Sequence, residues 1–215
     1  MERTVLYSNP ISHWCISADR MLAFKGVPFE TVYVPYHNHQ ELLRLSGQDY
    51  IPVLKSDGRV LRWFEIPDFL EKEVPTPTFY PWGQRGLATL LEQWGHAVIE
   101  ERVWRAVVTK VPKIFVDEQE RWVFEEMQNR ARGPWEVLEL REPEFRKDLL
   151  THLQQLETTL EGREWILGKP SLADFGIYGA VSPIFTVGEQ LPQGLPNLDA
   201  WCKRIQALGP SVGSQ

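Results

Sequence analysis

Residues 6–26 read LYSNPISHWCISADRMLAFKG, and this stretch decides the fold. An apolar strand over Val5 to Tyr7 breaks at Asn9-Pro10 and restarts as an amphipathic helix whose opening residues include Ser12 and Cys15. The N-terminus of a helix is the positive end of its dipole, with backbone N–H groups pointing outward. A hydroxyl and a thiol placed there favour an anion such as a thiolate. Lys25-Gly26 supplies a helix stop, and Val27-Pro28-Phe29-Glu30 leads into a second strand. The segment reads as a site for sulfur chemistry.

Downstream, short β-type runs alternate with helical ones. Thr31 to Val34 predicts a strand, His39 to Leu45 a short helix ending at Gly47, and Ile51 to Lys55 another strand. Asp57-Gly58 is a tight turn into Arg59 to Arg62, which suits a hairpin. Pro67 falls in the first turn of a helix running to about Glu73, where proline is tolerated. The resulting order βαβαββα is a thioredoxin-like α/β arrangement over residues 1–74. Residues 75–83, with Pro75, Pro77 and Pro81, form a linker that cannot continue a helix. Residues 84–215 are helical in pattern, with Leu87, Leu90, Leu91, Trp94, Val98 and Ile99, and later Leu149, Leu153, Leu156 and Leu160, at three- and four-residue spacings. This part predicts an all-α C-terminal domain.

Composition narrows the function classes. The chain has 215 residues, 43% of them apolar, enough for a packed core. Acidic residues outnumber basic ones 29 to 23, giving a net charge of −6, and no basic stripe appears, which argues against nucleic acid as the partner. No apolar run approaches the length of a membrane span, and Met1 to Thr4 lead straight into a strand without a secretory-type apolar core. The two cysteines, Cys15 and Cys202, are far apart and make no metal or disulfide framework. The expected setting is reducing and cytoplasmic, with no membrane partner.

Three segments together resemble the glutathione transferase superfamily, over nearly all of the chain. They are the strand, Asn-Pro break and helix carrying Ser12-His13-Trp14-Cys15; Tyr50-Ile51-Pro52-Val53-Leu54, similar to the family's Val-Pro-x-Leu with its cis proline; and Pro170-Ser171-Leu172-Ala173-Asp174-Phe175, similar to the capping box of the family's central C-terminal helix. The resemblance implies the glutathione transferase fold, glutathione as co-substrate, a small hydrophobic electrophile as second substrate, and a homodimer.

Ser12 stands where the family carries a catalytic serine or, in its redox branch, a cysteine. A hydroxyl there donates to the glutathione sulfur and favours thiolate over thiol. The plain alternative is an ordinary helix cap, worth about 1 kcal/mol. Cys15 is the second candidate: a lone thiol, open to a mixed disulfide if exposed and acidified, or a small buried apolar residue. Without a Cys-x-x-Cys pair, disulfide cycling of the thioredoxin type is not expected. His13 and Trp14 read either as site-lining groups or as an exposed histidine and a packed tryptophan. A cis bond at Pro52 would turn the backbone of Ile51 outward to pair with a peptide-like ligand; by itself the same proline reads as an edge-strand residue.

The chain departs from the family at Leu61-Arg62-Trp63-Phe64-Glu65-Ile66, where an acidic or amide residue followed by serine is usual. Neither possible register restores that pair. Arg62 is then the candidate for the γ-glutamyl carboxylate, with Trp63 beside it, while the ammonium needs Glu65, Asp68 or another subunit. Ser171 and Asp174 form a structural capping box ahead of Phe175 to Ile184. Trp94, His96, Arg102, Trp104 and Arg105 occupy the helical stretch expected to face the cleft, and nine tryptophans offer material for an apolar wall. The expected activity is attack of glutathione thiolate on an electrophile. The rival reading is a catalytically silent module that binds an apolar ligand or a protein partner.

Overall fold

In the computed structural model, which describes residues 3–208, β1 (Val5–Ser8) alternates half-exposed and buried side chains. That is the period-two pattern of a strand with one packed face. α1 (His13–Phe24) follows, then β2 (Glu30–Tyr33), α2 (Gln40–Ser46), β3 (Val53–Ser56), β4 (Arg59–Arg62) and α3 (Ile66–Glu73), the order the sequence predicts. The sheet runs β2-β1-β3-β4, with β2 parallel to β1 and the other pairs antiparallel. Asp57 (φ 49°) and Gly58 (φ 73°) both adopt left-handed backbone, as a two-residue hairpin between twisted strands requires, and Ser56 pairs with Arg59. β3 begins at Val53 rather than Ile51 because Pro52, joined to Ile51 by a cis bond, has no N–H for a ladder.

Lys25 ties this layer to the connection that follows. Its buried ammonium donates to Glu71 Oε2 (2.6 Å) and to the carbonyls of Val74 (2.7 Å) and Pro77 (2.6 Å), and lies 4.3 Å from the centre of the Phe79 ring. A cation out of water survives only with such a full set of acceptors.

The helical part begins with α4 (Arg85–Trp94), which passes through a π-helical turn at Gly95–Glu100 into α5 (Glu101–Val107). α6 (Glu118–Arg132) is capped by Asp117, which accepts from Glu120 N–H (2.7 Å). α7 (Trp135–Thr159), α8 (Leu172–Val181), α9 (Pro183–Thr186) and α10 (Pro196–Gln206) complete the described residues. None of the described helices is long and apolar enough to cross a membrane. Every residue of α8 is buried, so the rest of the molecule packs around it. α1 lies against it at very close range: a Cβ added to Gly179 would fall 2.8 Å from the His13 carbonyl oxygen and closer still to Ser17 Oγ. Ser17 Oγ donates to the Phe175 carbonyl across the same contact (3.1 Å).

Asp174 anchors α8. Its carboxylate accepts from Ser171 N–H (2.9 Å), Ser171 Oγ (2.7 Å), Ile166 N–H (3.0 Å) and the Trp201 indole N–H (2.9 Å), all within the core. The capping box read in the sequence is therefore half of a wider network that also holds α10. Asp174→Ala strands several buried donors, each costing about 1–3 kcal/mol, and should destabilise the fold by at least about 3 kcal/mol in urea titration. Unchanged stability would contradict this role.

Candidate active site

Asn9 fixes the entry into α1. Its amide donates to the Val34 carbonyl (3.1 Å) and to Glu120 Oε1 (3.0 Å), while its oxygens accept from Ile11 N–H (3.0 Å) and Ser12 N–H (3.0 Å). Ser12 takes N-cap backbone angles (φ −76°, ψ 115°), yet among the described residues its side chain makes no capping hydrogen bond. A hydroxyl is thus held at the positive end of a helix dipole without capping the helix backbone.

Ser12 opens on a cavity of about 800 Å³ that is also lined by His13, Trp14, Tyr50 and Ile51. The opposite wall comes from the helical part: Trp104 of α5, with Trp122, Val123, Met127, Arg130 and Arg132 of α6. Glu120 pins that wall to the sheet layer, because its buried carboxylate accepts from Asn9, from Tyr36 N–H (3.0 Å) and from Tyr33 Oη (2.6 Å). Arg132 lies 3.2 Å from Glu101 and stands over Trp104 at 5.6 Å. The helical wall is mixed: Trp104, Trp122, Val123 and Met127 offer apolar surface, while Glu100, Glu126, Gln128, Arg130 and Arg132 lie among them, a combination that small-molecule sites use for contact and orientation.

Trp14 and Glu100 also border a second cavity, of about 660 Å³, on whose wall Trp63, Phe64, Glu92 and His96 lie. The partition between the cavities is built from aromatic rings. His96 stacks flat on Trp14 (3.9 Å between centroids, 4° between planes), and Trp14 meets Trp63 edge to face at 4.0 Å. Behind the rings, Glu100 Oε2 lies 2.9 Å from His13 Nε2 and 3.3 Å from His96 Nδ1, and Glu92 Oε1 lies 3.1 Å from His96 Nε2. The contacts at the two Nε2 atoms are close without being well aligned hydrogen bonds.

The charges differ from ring to ring. Burial pushes the His13 imidazole down, against the pull of Glu100. For His96 burial opposes the charge, but Glu100 and Glu92 outweigh it and raise the value. For Glu100 burial opposes ionisation, yet the two histidines hold it down at about 2. His13, His96 and Glu100 bring three candidate ligand atoms within 4.8 Å of one another. However, the Trp104 indole N–H donates to His13 Nδ1 (3.2 Å), which leaves the ring's proton on Nε2, the atom a cation would need. The arrangement fits a hydrogen-bonded cluster better than a metal centre.

The structure thus brings Ser12, His13, Trp14 and Ile51 to one cavity, and Trp63 to its neighbour. Cys15 points elsewhere, packed with Val34, Leu42, Ile51 and Val53, and burial pushes its thiol up against the pull of Ser12, Asn9 and Ser8. It is a packed thiol, not an acidified one. Pro52 lies behind Ile51, its carbonyl accepting from the Gln48 amide (3.3 Å). Arg62 stands outside both cavities and is committed to Glu65, which also accepts its backbone N–H (2.9 Å). Sequence reasoning missed Glu92 and Glu100. Their signal was the four-residue spacing Glu92, His96, Glu100 along one helical face.

Comparison with known proteins supplies the family. Residues 6–62 match the model of the glutathione S-transferase N-terminal domain, and residues 135–208 that of the glutathione S-transferase C-terminal domain. No curated protein matches the sequence. Among solved structures, a glutathione S-transferase from Rhodospirillum rubrum F11 is similar with a TM-score of 0.74 at 20% identity, over 97% of this chain and 89% of that one. Glutaredoxin 2 from Salmonella typhimurium, solved in complex with glutathione, is similar with a TM-score of 0.77 at 15% identity, over 96% of both chains. FzlA from C. crescentus gives 0.73 at 21% identity, over 95% of this chain and 88% of that one. At these identities the likeness is one of fold.

Glu100→Gln should cost about 3 kcal/mol at neutral pH, as stripping one partner from a buried charge cluster does. It should also flatten the acid limb of stability. The Glu100 contribution is present above the unfolded carboxyl value of about 4.3 and is lost as pH falls toward about 2. Urea titrations from neutral to acidic pH check both effects, and an acid limb as steep in the variant as in the wild type would contradict them.

Proposed function

The chain belongs to the glutathione S-transferase superfamily, and from that premise we propose that it uses the thiolate of glutathione against a small hydrophobic electrophile. Ser12 donates its hydroxyl proton in a hydrogen bond to the sulfur, at the positive end of α1, and so favours thiolate over thiol. Each pKa unit lowered corresponds to about 1.4 kcal/mol. Ile51 offers its backbone to the cysteinyl part of the tripeptide beside the cis bond to Pro52. The sulfur then attacks the electrophilic carbon held against Trp104, Trp122, Val123 and Met127, forming the S–C bond as the leaving group departs with its electron pair. Rate comes from a ready thiolate and from proximity. The observation that carries this reading is the Ser12 hydroxyl, which makes no capping hydrogen bond and shares one cavity with Ile51 and with the apolar side chains of Trp104, Trp122, Val123 and Met127.

A second reading has its own support. Trp63 packs on Trp14 near the place where the family's acidic or amide residue and serine would hold the γ-glutamyl end, and Arg62 is taken by Glu65. A catalytically silent module that binds an apolar ligand or a protein partner needs neither group. Even in the enzymatic reading this end of glutathione is held weakly. A cytoplasmic homodimer completes the proposal.

Retention on immobilised glutathione and turnover of an aromatic electrophile separate the readings. The enzymatic reading expects both in the wild type. It expects kcat/KM to fall by about 10²-fold or more in Ser12→Ala, the scale of losing one donor to a developing anion, and turnover to persist in Cys15→Ala. Absence of retention and turnover in the wild type would leave the binding module. Turnover that survives Ser12→Ala but is lost in Cys15→Ala would move the chemistry to the thiol.

A further inference from the structure

We propose that His96 is a buried imidazolium that acts as a positioning residue for Ser12, clamping the first turn of α1 to the helical part through Trp14 and Glu100. Its effect on turnover rests on the reading of Ser12 given above. Its charge and its clamping role are properties of the free protein.

Geometry makes the case. Both ring nitrogens of His96 face carboxylates, Nε2 at 3.1 Å from Glu92 and Nδ1 at 3.3 Å from Glu100. A neutral imidazole has one N–H and would turn a lone pair on one of these anions; the doubly protonated ring puts a hydrogen bond on Glu100 and a close, less aligned charge contact on Glu92. The two carboxylates are themselves largely buried, and without a cation between them their charges would repel in a poorly screened site. His13 does not supply that cation, because Trp104 donates to its Nδ1 and burial keeps it neutral.

The groups facing His96 are Glu92 from α4, Glu100 from its own turn and His13 from α1, with ring centroids 6.0 Å apart. Arg132 of α6 bears on His13 and is itself balanced by Glu101. Trp14 and Trp63 face the ring without charge. A cation lying flat on an indole gains from the electron-rich face. Trp14 follows Ser12 by two positions, so holding its ring holds the turn that carries the hydroxyl. Glu100 reinforces the same turn through His13.

The pH dependence follows with a definite sign. His96 has a folded-state value raised by its carboxylates over the opposition of burial. Its stabilising contribution is therefore complete below the unfolded value of about 6.5 and is lost as pH rises through the folded value. His13, lowered by burial, runs the other way: its contribution is present above about 6.5 and is lost as pH falls. The clamp is strongest near neutrality and loosens in alkali through His96.

Histidine ring NMR on the full chain without glutathione tests the charge directly. In the wild type, one resonance, identified by its loss in His96→Gln, should titrate above about 6.5, and Glu92→Gln should move that midpoint downward. The decline of the melting temperature between about pH 6.5 and 8, below the range in which thiols and phenols titrate, should be lost in His96→Gln. If the enzymatic reading holds, kcat/KM of His96→Gln should fall about 10- to 100-fold, the scale of a small misplacement, and the alkaline limb of the wild-type profile should share the NMR midpoint. A His96 midpoint at or below about 6.5, or one unmoved by Glu92→Gln, overturns the proposal. So does a decline of the melting temperature between about pH 6.5 and 8, below the range of the thiols and phenols, that is as steep in His96→Gln as in the wild type. If His96→Gln does not fold, the absence of any histidine midpoint that lies above about 6.5 in the wild type and moves downward in Glu92→Gln overturns the proposal. None of the structural readouts requires turnover, so failure of the glutathione reading leaves them intact.

Discussion

The contact between α1 and the fully buried α8 is the constraint on which the remainder depends. Gly179 has no room for a side chain, and Ser17 Oγ reaches across to the Phe175 carbonyl at 3.1 Å. α8 is in turn fixed by the Asp174 carboxylate, which takes four donors from three segments of chain. Because α1 cannot shift on α8, its first turn is presented to the π-helical turn at Gly95–Glu100 in one arrangement. Gly95 approaches Ile177 of α8 in the same close manner. Both sides of the site are therefore registered on a single buried helix, and Ser12 inherits its position from packing some distance away.

The site that results is electrostatically uneven. Ser12 faces the positive end of α1, which suits an anion. Glu100, on the wall of the same cavity, carries a negative charge that the His96 imidazolium offsets only in part, because that ring is shared with Glu92. Trp14 stands between the two cavities and screens one from the other. Trp63, in the region where the family usually carries polar anchors, continues that aromatic partition. Where the chain departs from the family pattern, Trp63 packs against Trp14 and His96.

Local features of the fold were legible in the sequence because each has a local cause. The hairpin at Asp57-Gly58, the helix stops at Gly26 and Gly47, and the Ser171/Asp174 box follow from backbone conformations and hydrogen bonds spanning a few residues. The candidate site was legible only in part. Ser12, His13, Trp14 and Ile51 share a cavity. The orientation of Cys15 into the core depends on Val34 just after β2, Leu42 of α2 and Val53 of β3, and Arg62 pairs with Glu65 instead of reaching the cavity. Lys25 read as a helix stop, but it also gathers acceptors from α3 and the proline-rich connection, contacts nearly fifty residues distant. Glu92 and Glu100 gain their meaning only when α1 is laid against them.

The central claim is that Ser12 keeps the sulfur of bound glutathione ionised near neutral pH. Ultraviolet thiolate absorbance of the wild-type complex with glutathione, followed against pH and compared with Ser12→Ala, measures that ionisation without any second substrate. The account predicts a bound thiol that ionises well below its value in free solution in the wild type and returns toward that value in the variant. A thiol that stays protonated at neutral pH in the wild-type complex, or one that ionises identically without the Ser12 hydroxyl, would contradict it.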